Sequence, residues 1–166
     1  MTVTLIAVHS ENGVLGAAGR IPWKLPDEIA HFRRYCEGKW LLLGRRTYAE
    51  MGGWFRPGQT PVVVTRDAAL SVPDGRAVGS VEEGLAIAEL SGADECVVVG
   101  GGEVFAAAMP YAGVLLLTVV HTTLDGDVFF PAFAPADWQE TWSHHHPADA
   151  NHAFAYTIRR LVRSQP

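Results

Sequence analysis

Apolar residues follow two rhythms along this chain. Short, nearly unbroken apolar runs occur at Val3–Val8 (VTLIAV), Lys39–Gly44 (KWLLLG), Thr60–Arg66 (TPVVVTR), Glu95–Gly100 (ECVVVG) and Gly113–Val120 (GVLLLTVV). Runs this short and this apolar suit strands buried on both faces. Helical spacing lies between them. One helix is predicted from Pro26 to about Cys36, with Pro26 at the first helical position, and a short one over Arg45–Met51. A third begins at Ser80, whose hydroxyl and Glu83 three residues later form a capping-box pattern. A fourth follows the glycines at 100–102. Two longer strands, Trp138–His146 and His152–Val162, flank a turn region at Pro147–Asn151. Strands alternating with helices predict a single α/β domain, its sheet mostly parallel and closed by an antiparallel hairpin.

At 166 residues the chain is long enough to bury a core without disulfides or metals. Its net charge of −5 carries no block of like charge, which argues against a nucleic-acid or anionic-membrane partner. Cys36 and Cys96 fall in apolar segments with no metal or redox spacing, so both are expected as reduced, buried thiols. The N-terminus lacks a basic leader pattern, and the longest apolar run is far short of the ~20 residues that span a bilayer. A soluble, cytoplasmic protein is expected.

Three predicted strand ends carry residues suited to phosphate. The run VVVGGGEVF ends a buried strand in Gly100, Gly101 and Gly102 and starts a helix at once. Glycines there let phosphates approach the backbone, and a helix start offers unpaired N–H groups. The dinucleotide fingerprint G-x-G-x-x-G is not matched, so a bare strand–helix turn is an equal reading. Gly44 is followed by Arg45, Arg46 and Thr47, and Thr65 and Arg66 close a third strand. Ligands of open α/β sheets bind at such ends, and the coincidence of three favours a phosphorylated dinucleotide. The glycine-bearing segment Ser10–Lys24 is long for a connection and has the composition of a lid.

Glu28 stands out within IPWKLPDEIAHF. Helical spacing sets it on one stripe with Phe32 and Cys36. On spacing alone it reads as a first-turn acid favoured by the helix dipole, worth ~0.3–1 kcal/mol. Asp27 meets that preference already while pointing elsewhere. A carboxylate in a partly apolar pocket would instead hold a cationic or amidine-like ligand edge. His144, His145 and His146, together with His152, do not read as a metal site, because successive strand side chains in the triplet point to opposite faces; no metal is expected. Trp138, Trp142 and Phe154 read as core or sheet-packing residues.

Taken in order, LIAV, GVLG, IPWKLPDEIAHF, LLLGRRTYAEMG, VVVGGGEVF and DGDVFFP resemble blocks of the dihydrofolate reductase family, from Thr4 to about Leu161. The resemblance implies an eight-stranded α/β sheet with an antiparallel C-terminal strand, and NADPH-dependent reduction of 7,8-dihydrofolate. It places Glu28 at the family's acidic pterin-binding position, with Thr118 hydrogen-bonded to it and Trp23 positioning a water. Ile6, Val8, Ile29, Phe32, Met51 and Phe55 would form apolar walls. NADPH would lie across Ala7, Leu15, Gly16, Gly44, Arg45, Arg46, Thr47, Thr65, Arg66, and Val99, Gly100, Gly101, Gly102, Glu103, Val104 and Phe105. Arg45 and Arg66 are the choices for its 2′-phosphate, and Gly100–Gly101 matches a turn that usually holds a cis peptide. Antifolates would bind in place of the substrate, and a monomer is the family expectation.

One departure concerns the substrate's glutamate tail. Family members carry an arginine after the Pro-Gly turn, whereas FRPGQTP has Gln59 there. An uncharged amide lacks the guanidinium fork, and a lost charge-assisted pair costs ~2–3 kcal/mol. Arg33, Arg34 or Arg56 would have to compensate. Two alternatives follow: a reductase of the same fold acting on a tailless pterin or a pyrimidine, and a non-catalytic nucleotide- or antifolate-binding protein.

Overall fold

The computed structural model of the chain describes residues 1–16 and 23–165. In chain order its elements are β1 (Thr2–Ser10), β2 (Val14–Gly16), α1 (Pro26–Cys36), β3 (Trp40–Gly44), α2 (Arg45–Glu50), β4 (Thr60–Val64) and β5 (Arg76–Val78). Then follow α3 (Val81–Leu90), β6 (Glu95–Gly100), α4 (Gly102–Ala108), β7 (Val114–Val120), β8 (Val128–Phe129), β9 (Trp138–His146) and β10 (Tyr156–Arg163). Eight strands form one sheet in the order β5-β4-β3-β6-β1-β7-β10-β9. Only β10 runs against its neighbours; every other recorded pairing of that sheet is parallel apart from β10 with β7 and β9. The predicted strand–helix alternation and the closing hairpin are both present.

The short strands β2, β5 and β8 were not expected. Two or three residues are too few to display a period, so pairing rather than local pattern defines them. β2 and β8 pair with each other in a small separate ribbon.

Alternation along each buried strand divides the core into two faces. Val3, Leu5 and Ala7 of β1 pack with Leu42, Val98, Leu115 and Leu117 under the apolar sides of α3 and α4. On the opposite face Ile6 packs with Leu41, Val97 and Leu116 against Leu25 and Cys36, beneath α1. The two cysteines are free and buried, one under each face. Burial pushes both thiols up to about 12, which keeps them protonated.

Each helix carries the local signals that set its ends. In α1, Pro26 opens the helix, Asp27 and Glu28 sit in the first turn, and Arg33 and Arg34 in the last, matching the helix dipole. In α3 the Ser80 hydroxyl accepts the Glu83 amide at 3.0 Å. The Glu83 carboxylate reaches back to the Gly79 amide at 2.8 Å, so the expected capping box closes one residue early.

The C-terminal hairpin departs from expectation at one aromatic. Trp138 is buried, and Phe154 packs on the α1-side core. Trp142 is 48% exposed and stacks on His144, because β9 is an edge strand with no strand on its outer side. No described helix is long and apolar enough to cross a membrane.

Candidate active site

The carboxyl ends of β3, β4 and β6 lie side by side, with Leu43 of β3 paired to Gly100 and Gly44 paired to Val64. Backbone approach there is tight. A Cβ on Gly44 would come 3.3 Å from the Val104 side chain, and one on Gly101 would lie 3.4 Å from the Thr47 hydroxyl. One on Gly102 would meet Val128 of β8 at 2.9 Å. Gly100 adopts φ +121°, a conformation open to glycine, and the Gly100–Gly101 peptide is cis. Sequence-stretches far apart thus form one glycine-lined cradle, with Leu15 of β2 at its edge.

Polar groups border this cradle. Thr47 and Thr65 are half-buried, while Arg45, Arg46 and Arg66 are exposed. Arg45 lies 3.6 Å from Asp67, and the Asp67 amide donates to the Thr65 hydroxyl at 3.0 Å. Glu103 is exposed in the first turn of α4, and Val104 and Phe105 are buried beneath it. Ala7 is buried on β1, facing the α4 side of the sheet.

Across the sheet lies the second half of the site. Glu28 is one of only two buried residues of α1, the other being Cys36, so the stripe read from spacing is real. Its carboxyl group is 6% exposed as part of that residue, and Thr118, a buried residue of β7, hydrogen-bonds to it. Burial raises the Glu28 pKa to about 7, and the Thr118 hydrogen bond opposes that rise. Thr118 is the β7 partner of Val8, which puts it on the same face as Ile6 and Val8.

Apolar side chains surround the carboxyl group. Ile6, Val8, Trp23, Phe32, Phe55 and Val99 belong to the cluster under α1. Met51 packs with Phe55 and Val99 around Leu43. Ile29 is 45% exposed, so it contributes to an opening rather than to the packed interior. Sequence reasoning missed Trp54, which packs on Phe32 at 5.3 Å and edge-on to Phe55 at 5.5 Å. Its only local signal was an aromatic pair following two glycines.

Gln59 is placed otherwise than a tail-binding residue requires. It is buried, its amide nitrogen donates to the Cys36 carbonyl at 3.1 Å, and its oxygen accepts the Arg56 amide at 2.8 Å. Both ends bond inside the protein, tying the end of α1 to the Pro57–Gly58 turn. The exposed Arg56 side chain turns onto the Gly53 carbonyl at 3.1 Å. Arg33 and Arg34 are exposed on α1. Of the proposed lid, Ser10–Lys24, residues 17–22 lie outside the described residues, and Val14–Gly16 form β2.

The sequence model of the family described as dihydrofolate reductase matches residues 2–163. The chain belongs to the dihydrofolate reductase family. Dihydrofolate reductase type 3 of Salmonella typhimurium is 34% identical over 165 residues, covering 99% of this chain and all of that protein. Dihydrofolate reductase type 6 of Proteus mirabilis is 38% identical over 143 residues, 86% of this chain and 88% of its own length. Among solved structures, dihydrofolate reductase from Enterococcus faecalis, complexed with NADP(H) and RAB-propyl, superposes with a TM-score of 0.87. That match has 29% identity and covers 99% of this chain and 97% of the other.

Proposed function

We propose that this chain reduces 7,8-dihydrofolate to 5,6,7,8-tetrahydrofolate with NADPH, and that the buried Glu28 is the residue that reads the pterin. The observation that carries this is a buried carboxyl group on the α1 face of the sheet, hydrogen-bonded to Thr118 in a chain of this family. The pterin presents an amino group and a ring nitrogen as parallel donors, and a carboxylate accepts both at once. Thr118 holds the carboxylate in the plane where it can do so. Ile6, Val8, Phe32 and Phe55 sandwich the ring and exclude water, which strengthens that contact.

The reduction adds a hydride to C6 and a proton to N5. NADPH supplies the hydride, and the glycine cradle suits it: Gly44, Gly101 and Gly102, where a Cβ would crowd Val104, Thr47 or Val128, keep bare backbone at the strand ends that phosphates can approach. Gly44, Thr47, Thr65 and Gly100 to Phe105 would hold it, with Arg45 and Arg66 at the 2′-phosphate and Ala7 and Leu15 near the nicotinamide end. Glu28, bound to the amino edge of the ring, favours the tautomer that accepts a proton at N5, and Trp23 positions the water that delivers it. Glu28 therefore acts on the ring's electronics rather than as the immediate donor.

The tail is where this chain departs from its family. With Gln59 committed internally, Arg33 and Arg56 are the cations left for the glutamate carboxylate on that side. Two free buried thiols fit a reducing, cytoplasmic setting, and the chain acts as a monomer that also accepts antifolates in the pterin cleft. The test is loss of the reduced nicotinamide's near-ultraviolet absorbance with purified protein, NADPH and either dihydrofolate or a tailless dihydropterin. Turnover of dihydrofolate supports the reading. Oxidation with neither substrate overturns it, and turnover of the tailless compound alone moves the substrate assignment.

A further inference from the structure

Three segments remote in sequence meet beside the start of α1. His146 ends β9, His152 follows the turn after it, and Asp27 is the second residue of α1. His146 Nε2 lies 2.9 Å from Asp27 Oδ2, and His152 Nε2 lies 3.8 Å from the same oxygen. One ligand atom from each residue falls within 4.8 Å of the other two. A zinc ion bonded at ~2.1 Å to each of three tetrahedral ligands would keep those atoms about 3.4 Å apart, between the two distances seen.

The outer contacts of both rings are those of metal-binding histidines. His152 Nδ1 meets the Asp149 carboxylate at 2.8 Å, and His146 Nδ1 meets the Pro147 carbonyl at 2.8 Å. An oxygen acceptor behind each Nδ1 fixes the tautomer and turns Nε2 inward, the second layer that supports imidazole ligands. The rings are also held mechanically. His146 stacks on Tyr156 at 4.7 Å with 10° between planes, and His152 is 2% exposed. Asp27 is exposed, which leaves a fourth position open to water. The Asp27 amide, which now donates to His152 Nε2 at 3.1 Å, is a first-turn helix donor and turns to water when the ring is taken up.

We propose that Asp27, His146 and His152 form a binding site for a first-row divalent metal of the zinc class, stapling α1 to the C-terminal hairpin. Two imidazole nitrogens and one carboxylate oxygen suit zinc, cobalt or nickel rather than calcium or magnesium. The alternation that rules out the run His144–His146 as a ligand set still holds. Only His146 of that run takes part, and its partners come from a turn and a helix. Glu28, the next residue of α1 and buried, is not one of the three ligands, and the site stands whether or not the reductase reading holds.

The experiment uses the full chain stripped of metal with a chelator, then titrated calorimetrically with zinc chloride. One equivalent should bind, and at about 100-fold excess over the dissociation constant the melting midpoint should rise by roughly 5–10 °C. Cobalt(II), as a visible probe, should give tetrahedral d–d absorption and shift the ring C–H resonances of His146 and His152 but not those of His9. Asp27→Asn and His146→Gln should each abolish both signals, while His144→Gln and His145→Gln should keep them. Uptake that survives His146→Gln, or that falls equally in the His144 and His145 variants, would show only adventitious binding at surface imidazoles and overturn the site. The cobalt-shifted resonances decide the matter on the parent chain should a variant fail to fold.

Discussion

Glu28 is held between two opposing influences: apolar neighbours that favour its neutral form and a Thr118 hydroxyl that favours its charge. The balance, a pKa raised to about 7 from an ordinary 4.5, has a consequence for stability. As pH rises from about 4.5 the unfolded chain loses this proton first, while the folded chain keeps it until about 7. The group therefore costs nothing below that window, and its full penalty, about 3 kcal/mol, is reached above it. Glu28→Gln should match the parent in urea midpoint in acid and exceed it above neutral pH; equal midpoints at alkaline pH would contradict the burial. The same variant should lose roughly 10²–10³-fold in turnover at neutral pH with NADPH affinity unchanged. In the parent, kcat/KM should fall as pH rises past about 7, since the tautomer that accepts a proton at N5 needs the proton that Glu28 and the bound ring share, water remaining the immediate donor.

Gln59 argues at the same scale. Its amide satisfies a carbonyl at the end of α1 and an amide in the following turn. Gln59→Ala should cost about 1–3 kcal/mol in chemical denaturation by leaving those buried groups unpaired. It should leave the KM for dihydrofolate nearly unchanged, because the side chain is buried and held by bonds inside the protein, away from the tail. A large rise in KM with normal stability would return Gln59 to the substrate site.

Among the elements, α3 shows why helix propensity and packing need separate accounting. Gly84 sits mid-helix, where alanine would be favoured by ~1 kcal/mol on propensity. A Cβ there would lie 2.6 Å from Leu42 Cδ1 and 3.2 Å from Val62 Cγ1. Overpacking of this kind typically costs 1–3 kcal/mol, so packing wins. Gly84→Ala should lower the urea midpoint, and a rise would mean that Leu42 yields freely. The strand ends follow the same logic. Runs of Leu and Val fixed β3, β4 and β6 in the sequence because burial on both faces leaves no polar gap. Their shared edge was legible from Gly44, Thr65 and Gly100 and the crevice rule for parallel sheets. The approach of β8 over Gly102 was not, since Val128 and Phe129 carry no period and are placed by pairing with β2.

For the whole molecule, the main exposed edge is β9, with a register shift in its pairing to β10 between Arg160 and Leu161. Glu140 on that edge pairs with Arg159 at 2.6 Å. A bulge and charges on an edge strand oppose edge-to-edge association, so light scattering should return the mass of one chain at micromolar concentration. A concentration-dependent dimer would place β9 in an interface.

The sequence by itself determined the helices, the long strands and the two-faced core, because those depend on periodicity and burial within single segments. It also determined that Glu28 lies on the buried stripe of α1, since a stripe is a property of spacing along one helix. Tertiary structure alone decided which distant groups meet. Spacing cannot report that Gln59 is consumed by Cys36 and Arg56, that Trp54 closes on Phe32, or that Asp27, His146 and His152 converge across about 120 residues. Such contacts depend on the order and pairing of the strands, and no local pattern encodes them.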